Sequence, residues 1–211
     1  MRSILTNKWT KVAVFLACLV PLGLLILRAL HNGLGANPVE FITHATGDWT
    51  IRFIVITLAI TPLRKILKVP DLIRFRRMFG LFAFFYACLH FSIWIGIDKF
   101  FDFSEMWKDI EKRRFITVGM AALLLMIPLA LTSTAGWIRR LGGRRWRMIH
   151  RLIYGSAILA VIHYYWLVKS DVRKPLLYGG IVAVLLGWRA ANWALHRRNP
   201  STIRAASPGA L

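Results

Sequence analysis

Acidic residues are scarce in this chain. Nine Asp and Glu stand against 29 Lys and Arg in 211 residues, a formal net charge of +20. In a soluble protein that balance points to nucleic acid. Here the basic residues sit between long apolar runs, and no basic surface interleaved with aromatics emerges, so no nucleic-acid partner is expected. Cysteine is scarce too. Cys18 and Cys88 both fall inside apolar runs, with no CxxC and no metal-ligand spacing. That argues against a disulfide framework or a zinc site and reads both as small core residues. Also missing are a P-loop, a GxGxxG and an internal repeat. No stretch outside the apolar runs is long enough for a soluble nucleotide-binding domain, which disfavours a self-sufficient flavin–nicotinamide reductase.

What abounds is apolar sequence. The chain is 57% hydrophobic with a mean hydropathy of +0.54, against about 45–50% apolar residues in soluble domains. The fold class expected is all-α: an integral membrane bundle of six transmembrane helices forming one domain over residues 1–196, with a disordered cytoplasmic tail over 197–211. The expected spans are Val12–Leu30, Thr50–Leu67, Met78–Ile97, Phe115–Leu131, Met148–Leu167 and Pro175–Ala194. The first has a basic start like a secretory signal, but it lacks a small-residue cleavage site and reads as a retained helix. His31–Trp49, with Gly and Pro in GLGANP, reads as a loop. His31 and His44 in it, and His196 in the tail, read as solvated. TSTAGWIRRLGGRRWR reads as a basic loop, and Asp98–Arg114 as a piece lying on the membrane surface, where its aromatics meet lipid.

Charge assigns the sides. The N-terminus, the second and fourth loops, the tail and their edges hold 19 Lys and Arg and one acid; the opposite face holds 10 and 8. Both termini are therefore expected in the cytoplasm.

Three histidines fall within the expected spans, where ionisable residues are functional candidates by default. His90 in the third and His163 in the fifth lie at similar depth, nearer the outer face. Two neutral imidazoles on neighbouring helices can bind one haem iron from opposite sides, and bundle cores suit such cofactors. His150 lies near the cytoplasmic end. Were 146–166 one helix, its 13-residue separation from His163 would be roughly 20 Å of a hydrocarbon core about 30 Å thick. The two rings would then point about 140° apart, which does not support two haems stacked on one partner helix. Arg76, Arg77 and Arg147 lie at the His150 level, where basic side chains could hold haem propionates or a flavin phosphate. The alternative for all three histidines is packing or proton relay in a transporter or scaffold. No acid falls within an expected span, and no broken-helix pair of the transporter kind is present.

GLGANP at 33–38, ITPL at 60–63, the arginine-rich run into Leu81 with His90, LTST at 131–134, LGxxRWxxxHxxxY at 141–154 and IHYYW at 162–166 resemble the MsrQ family. Its members are haem-binding membrane subunits of the bacterial periplasmic methionine sulfoxide reductase system, within the wider ferric reductase-like transmembrane group. The resemblance runs from about Trp9 to Ala194. It implies six transmembrane helices in the bacterial inner membrane and one or two b-type haems on His90, His150 and His163, with FMN in some members. It implies electron flow from the quinone pool or a cytoplasmic flavin reductase to a periplasmic molybdenum-cofactor subunit, which carries the sulfoxide chemistry and repairs oxidised envelope proteins. The alternative within the group is another ferric reductase-like or cytochrome b-type oxidoreductase.

Overall fold

A computed structural model describes residues 5–168 and 170–198; the expected tail from 199 onward lies outside the described residues. Described secondary structure is helical: α1 Lys8–Leu30, α2 Pro38–Ile66, α3 Ile73–Ile93, α4 Phe103–Lys112, α5 Arg114–Leu131, α6 Ala135–Ile149, α7 Leu152–Leu167 and α8 Arg173–Arg198. A 3₁₀ turn, Pro70–Leu72, leads into α3, and a π-helical turn, Trp94–Asp98, follows it. By length and composition, three stretches among the described residues are long and apolar enough to cross a membrane: Lys8–Leu30, the run Pro70–Asp98 that contains α3, and Arg114–Leu131. α2 carries Glu40, Asp48 and Arg52 in its first half, and α7 has only 16 residues.

Four helices form the centre. α3 packs along α2, α7 packs along α5, and α3 touches α5 to join the two pairs, while α8 closes against α7 and α2. The core lies on α2 and α3. Phe53 stacks on Tyr86 at 5.3 Å and on Phe82 at 5.7 Å between ring centres, contacts that add to simple burial. Leu58, Ala83 and Ala157 are fully buried; the two alanines let helices approach closely. α1 differs, because Val12, Phe15, Leu16, Leu24 and Leu27 are about half exposed. An apolar helix that hides so little of itself is one solvated by lipid.

Two expected loops are helices. The stretch from 38 to 49 belongs to α2, so His44 and Asp48 are helical, not loop residues. The cause is local: Asn37 caps the helix by accepting from Glu40 N at 3.3 Å, its own amide donates to Glu40 Oε2 at 2.9 Å, and Pro38 occupies the first turn. Proline there is preset for the helix, and the reciprocal Asn37–Glu40 bonds fix the first turn. Likewise the arginine-rich stretch after Thr134 is α6, with Thr134 as its cap. α6 is interrupted where Gly142 adopts φ 71°, a left-handed value that glycine reaches without strain. The expected single helix through 146–166 breaks at His150 and Arg151, so the straight-helix separation and 140° phase between His150 and His163 do not hold. Arg74, Arg76 and Arg77 lie in the first turns of α3.

The piece expected on the membrane surface is α4. Phe100, Phe101, Phe103 and Trp107 are 62–80% exposed on or beside it, an apolar face suited to an interface. Beneath them Lys99, only 12% exposed, lies 2.7 Å from Asp109 and 3.9 Å from Asp98 and Glu105. The hydrogen bond to Asp109 holds the ammonium above its usual range.

Tyr86 ties α1 to this centre. Its hydroxyl donates to Cys18 O at 2.9 Å and accepts from Leu22 N at 3.2 Å, entering the ladder beside Pro21, where a helix is easily bent. Tyr86→Phe should lower stability by about 1 kcal/mol, read by thermal unfolding in detergent. Unchanged unfolding would show that the hydroxyl does not hold α1.

Candidate functional site

Between the α2/α3 pair and the α5/α7 pair lies a cavity of about 450 Å³, within the 300–1,000 Å³ or so of ordinary ligand sites. Its walls are largely apolar, with Ile54, Ala87, Ile116, Met126 and Ala160 among them. Its polar groups gather towards one end: Glu40, His44, Asp48, Asp98 and Arg113.

His90 and His163 face each other across this cavity. Their ring centres are 6.0 Å apart and their planes meet at 82°. The sequence places these two at equal depth; the fold brings them together. Each ring is anchored the same way. His90 Nδ1 lies 2.9 Å from Thr43 O on α2, and His163 Nδ1 lies 2.7 Å from Phe115 O on α5. A carbonyl oxygen only accepts, so each Nδ1 carries the proton and donates. Each Nε2 is left bare, the tautomer a metal takes. Metal–imidazole bonds of about 2.0 Å, with the ring radii added, place two facing ring centres roughly 6 Å apart. Among the described residues no group of three or more His, Cys, Asp or Glu has metal-holding geometry. A metal held here would take two imidazoles from the protein and its other donors from elsewhere.

Sequence reasoning missed two glycines. Gly47 and Gly119 sit one helical turn beyond Thr43 and Phe115, and each backs onto an imidazole. No sequence signal marks them, since both lie inside unbroken helices and only the packed neighbour gives them a role.

His150 is elsewhere. It caps the end of α6, its ring stacked on Trp146 with centres 3.8 Å apart and its Nδ1 3.1 Å from Trp146 O. Trp146 in turn donates to Thr132 O at 2.9 Å. His150 Nε2 is buried without a hydrogen-bond partner. Arg76 lies within electrostatic reach of His150 and of Arg189. None of Arg76, Arg77, Arg147 and His150 lines the cavity of His90 and His163.

At the polar end, Asp48 joins three helices. Tyr164, next to His163, donates to Asp48 Oδ1 at 2.9 Å. Lys174 and Arg52 approach its other oxygen at 3.5 and 3.7 Å. Arg52 also donates to Tyr178 at 3.2 Å and lies over the Trp49 ring. Lys174 is 64% exposed, and such pairs contribute little. The Tyr164 bond to a shielded carboxylate matters more. A double-mutant cycle of Asp48→Asn and Tyr164→Phe should give a coupling of about 1.5 kcal/mol in thermal unfolding. Additive effects would remove this contact from the site's support.

The paired helices and their facing histidines place the chain among membrane domains of one class: residues 46–161 match the family described as ferric reductase like transmembrane component. Similarity to individual proteins is closer and longer. The chain is 53% identical over 197 residues to a protein of Herminiimonas arsenicoxydans, covering 92% of this chain and 90% of that one. It is 50% identical over 189 residues to one of Rhodospirillum rubrum, covering 90% and 91%, and 50% over 207 residues to one of Xanthomonas oryzae, covering 95% and 94%. Each of these is a protein-methionine-sulfoxide reductase heme-binding subunit, MsrQ. The chain belongs to the MsrQ family.

Proposed function

We infer that this protein is a transmembrane electron carrier that holds b-type haem between His90 and His163. The observation that carries the reading is the imidazole pair: ring centres 6.0 Å apart, both Nδ1 atoms committed to backbone carbonyls, in a largely apolar cavity. The relatives' common description as heme-binding subunits supports it. Haem bound there supplies a one-electron couple whose potential follows its axial ligands and burial. The protein's part would be to present two neutral imidazoles and to exclude water with apolar walls.

In this reading six helices cross the bacterial inner membrane. α7 is lengthened to a full span by the last turn of α6, and the basic excess of the α6 side keeps both termini cytoplasmic. The histidine pair then lies towards the periplasm. Electrons enter from the quinone pool or a cytoplasmic flavin reductase and leave to a periplasmic molybdenum-cofactor subunit, where methionine sulfoxide is reduced. At the cytoplasmic end, His150 is free at Nε2 for a second haem, and Arg76, Arg77 and Arg147 suit propionates or the phosphate of FMN.

The oxidised and dithionite-reduced visible spectra of the detergent-purified protein should be those of a low-spin b-type haem. His90→Ala and His163→Ala should each abolish that low-spin signal, while His150→Ala should keep it. A colourless protein from haem-replete cells, or an unchanged spectrum in His163→Ala, would overturn the assignment.

On the outer face, residues 31–37, 98–114 and 168–174 are the surfaces a periplasmic partner can reach. Scrambling all three, with Asp98 and Arg113 kept because they line the cavity, should cut electron delivery to the molybdenum subunit at least tenfold while leaving the haem spectrum intact. Undiminished delivery would place docking elsewhere. Faster delivery by the unmodified protein to a ferric chelate than to that subunit would favour a ferric reductase instead.

A further inference from the structure

Two mid-helix glycines have no backbone reason to be there. Gly47 on α2 and Gly119 on α5 are both helical, and neither has the positive φ that Gly35 and Gly142 have. Glycine is the poorest ordinary helix former after proline, so its value at these positions must lie in missing bulk. A Cβ on Gly119 would stand 2.7 Å from His163 Nδ1 and 2.9 Å from its Cε1. A Cβ on Gly47 would stand 3.2 Å from His90 Cε1 and 3.3 Å from Nδ1. Among the described glycines, these two meet an imidazole; Gly80, Gly155 and Gly179 meet Thr57, Leu125 and Val161.

The two sites share one construction. The carbonyl that accepts from each Nδ1 belongs to the residue four before the glycine: Thr43 for Gly47 and Phe115 for Gly119. Residues i and i+4 lie one above the other on a helix face. The ring thus rests over a bare turn while its N–H reaches the carbonyl below. With a methyl group in that space the His163 ring must move, and the His90 ring must give by a few tenths of an ångström.

We propose that Gly47 and Gly119 are positioning residues which seat the two ligand imidazoles, fixing their perpendicular planes and their Nδ1–H bonds. The proposal rests on the haem reading above. Its consequences are electronic. When the planes of two axial imidazoles are perpendicular, the iron orbitals that interact with them stay close in energy. Oxidised low-spin iron then gives a highly anisotropic magnetic-resonance signal; near-parallel planes split the orbitals and give a rhombic one. Donation from Nδ1–H to a carbonyl also raises the basicity of the bound nitrogen, so weakening that bond disfavours the ferric state and raises the potential. Gly119 is the tighter seat and should be the more sensitive.

The test compares G119A and G47A with G23A and G187A, whose Cβ atoms would meet nothing within 4 Å. All are purified as full chains with haem, and fold is checked by circular dichroism. Low-temperature magnetic resonance should give the highly anisotropic signal in the unmodified protein, in G23A and in G187A. G119A should shift to a rhombic signal or lose low-spin iron, with a raised midpoint potential. G47A should shift the same way by less. If G119A does not accumulate folded, G47A decides, since its contact is looser. A folded G47A and G119A with unaltered signal and potential would overturn the proposal. So would failure of both to fold while the controls fold, because the glycines would then serve helix packing. Haem absent from the unmodified protein would defeat the underlying reading, a separate result.

Discussion

A ring N–H inside an apolar bundle must find an acceptor, because no water is there to supply one. His90 and His163 solve this by donating across a helix seam to a peptide carbonyl of the helix alongside. Much else depends on that bond. It fixes the tautomer, and so leaves Nε2 bare. It fixes the ring against the neighbouring backbone, so helix packing, rather than a flexible side-chain network, sets the distance between the rings. It also requires close approach, which small residues at the seams permit.

Packing explains why the pair is held as a pair. α2 with α3 and α5 with α7 are two repeats of one arrangement, each with a histidine on one helix and its acceptor on the other. The aromatic stack of Phe53 with Phe82 and Tyr86 holds the first pair. In the second, Ser156 on α7 donates to Ala122 O on α5 at 3.0 Å. A shift of either pair would change the 6.0 Å separation. The cavity is thus the space between two rigid halves, and its polar end is held by Asp48, which gathers Tyr164, Lys174 and Arg52 from α7, α8 and α2.

Much of this was legible in the sequence, and the omissions have physical causes. Apolar runs located the helices because burial in lipid or core writes itself into composition. Equal depth of His90 and His163 followed from counting along two spans of like direction. The start of α2 was misplaced by weighing Gly and Pro as turn formers, although Asn37, Pro38 and Glu40 together make a helix start. α6 was hidden by its arginines, since an interfacial helix with a polar face has no apolar run. The break at His150 left no residue signal of its own: neither glycine nor proline stands at 150 or 151. Gly47 and Gly119 were invisible because a mid-span glycine takes meaning only from what stands opposite it, and that depends on tertiary packing.

The two ends of the bundle differ in how they balance charge, and the difference bears on what each can hold. At the end of His90 and His163, Asp48 faces Arg52 and Lys174, and Asp109 faces Lys99 and Arg113. Charge there is settled within the protein. At the other end Asp71 is the single acid among many arginines. Arg189 reaches into the bundle and donates to backbone carbonyls, Leu185 O at 2.9 Å and Leu58 O. A carbonyl neutralises none of its charge. An excess of cations in a low-dielectric setting favours an anion, and planar guanidinium groups favour carboxylate and phosphate. On the proposed reading, haem propionates or a flavin phosphate would complete that end, while the histidine pair, among balanced charges, needs only the ring between them.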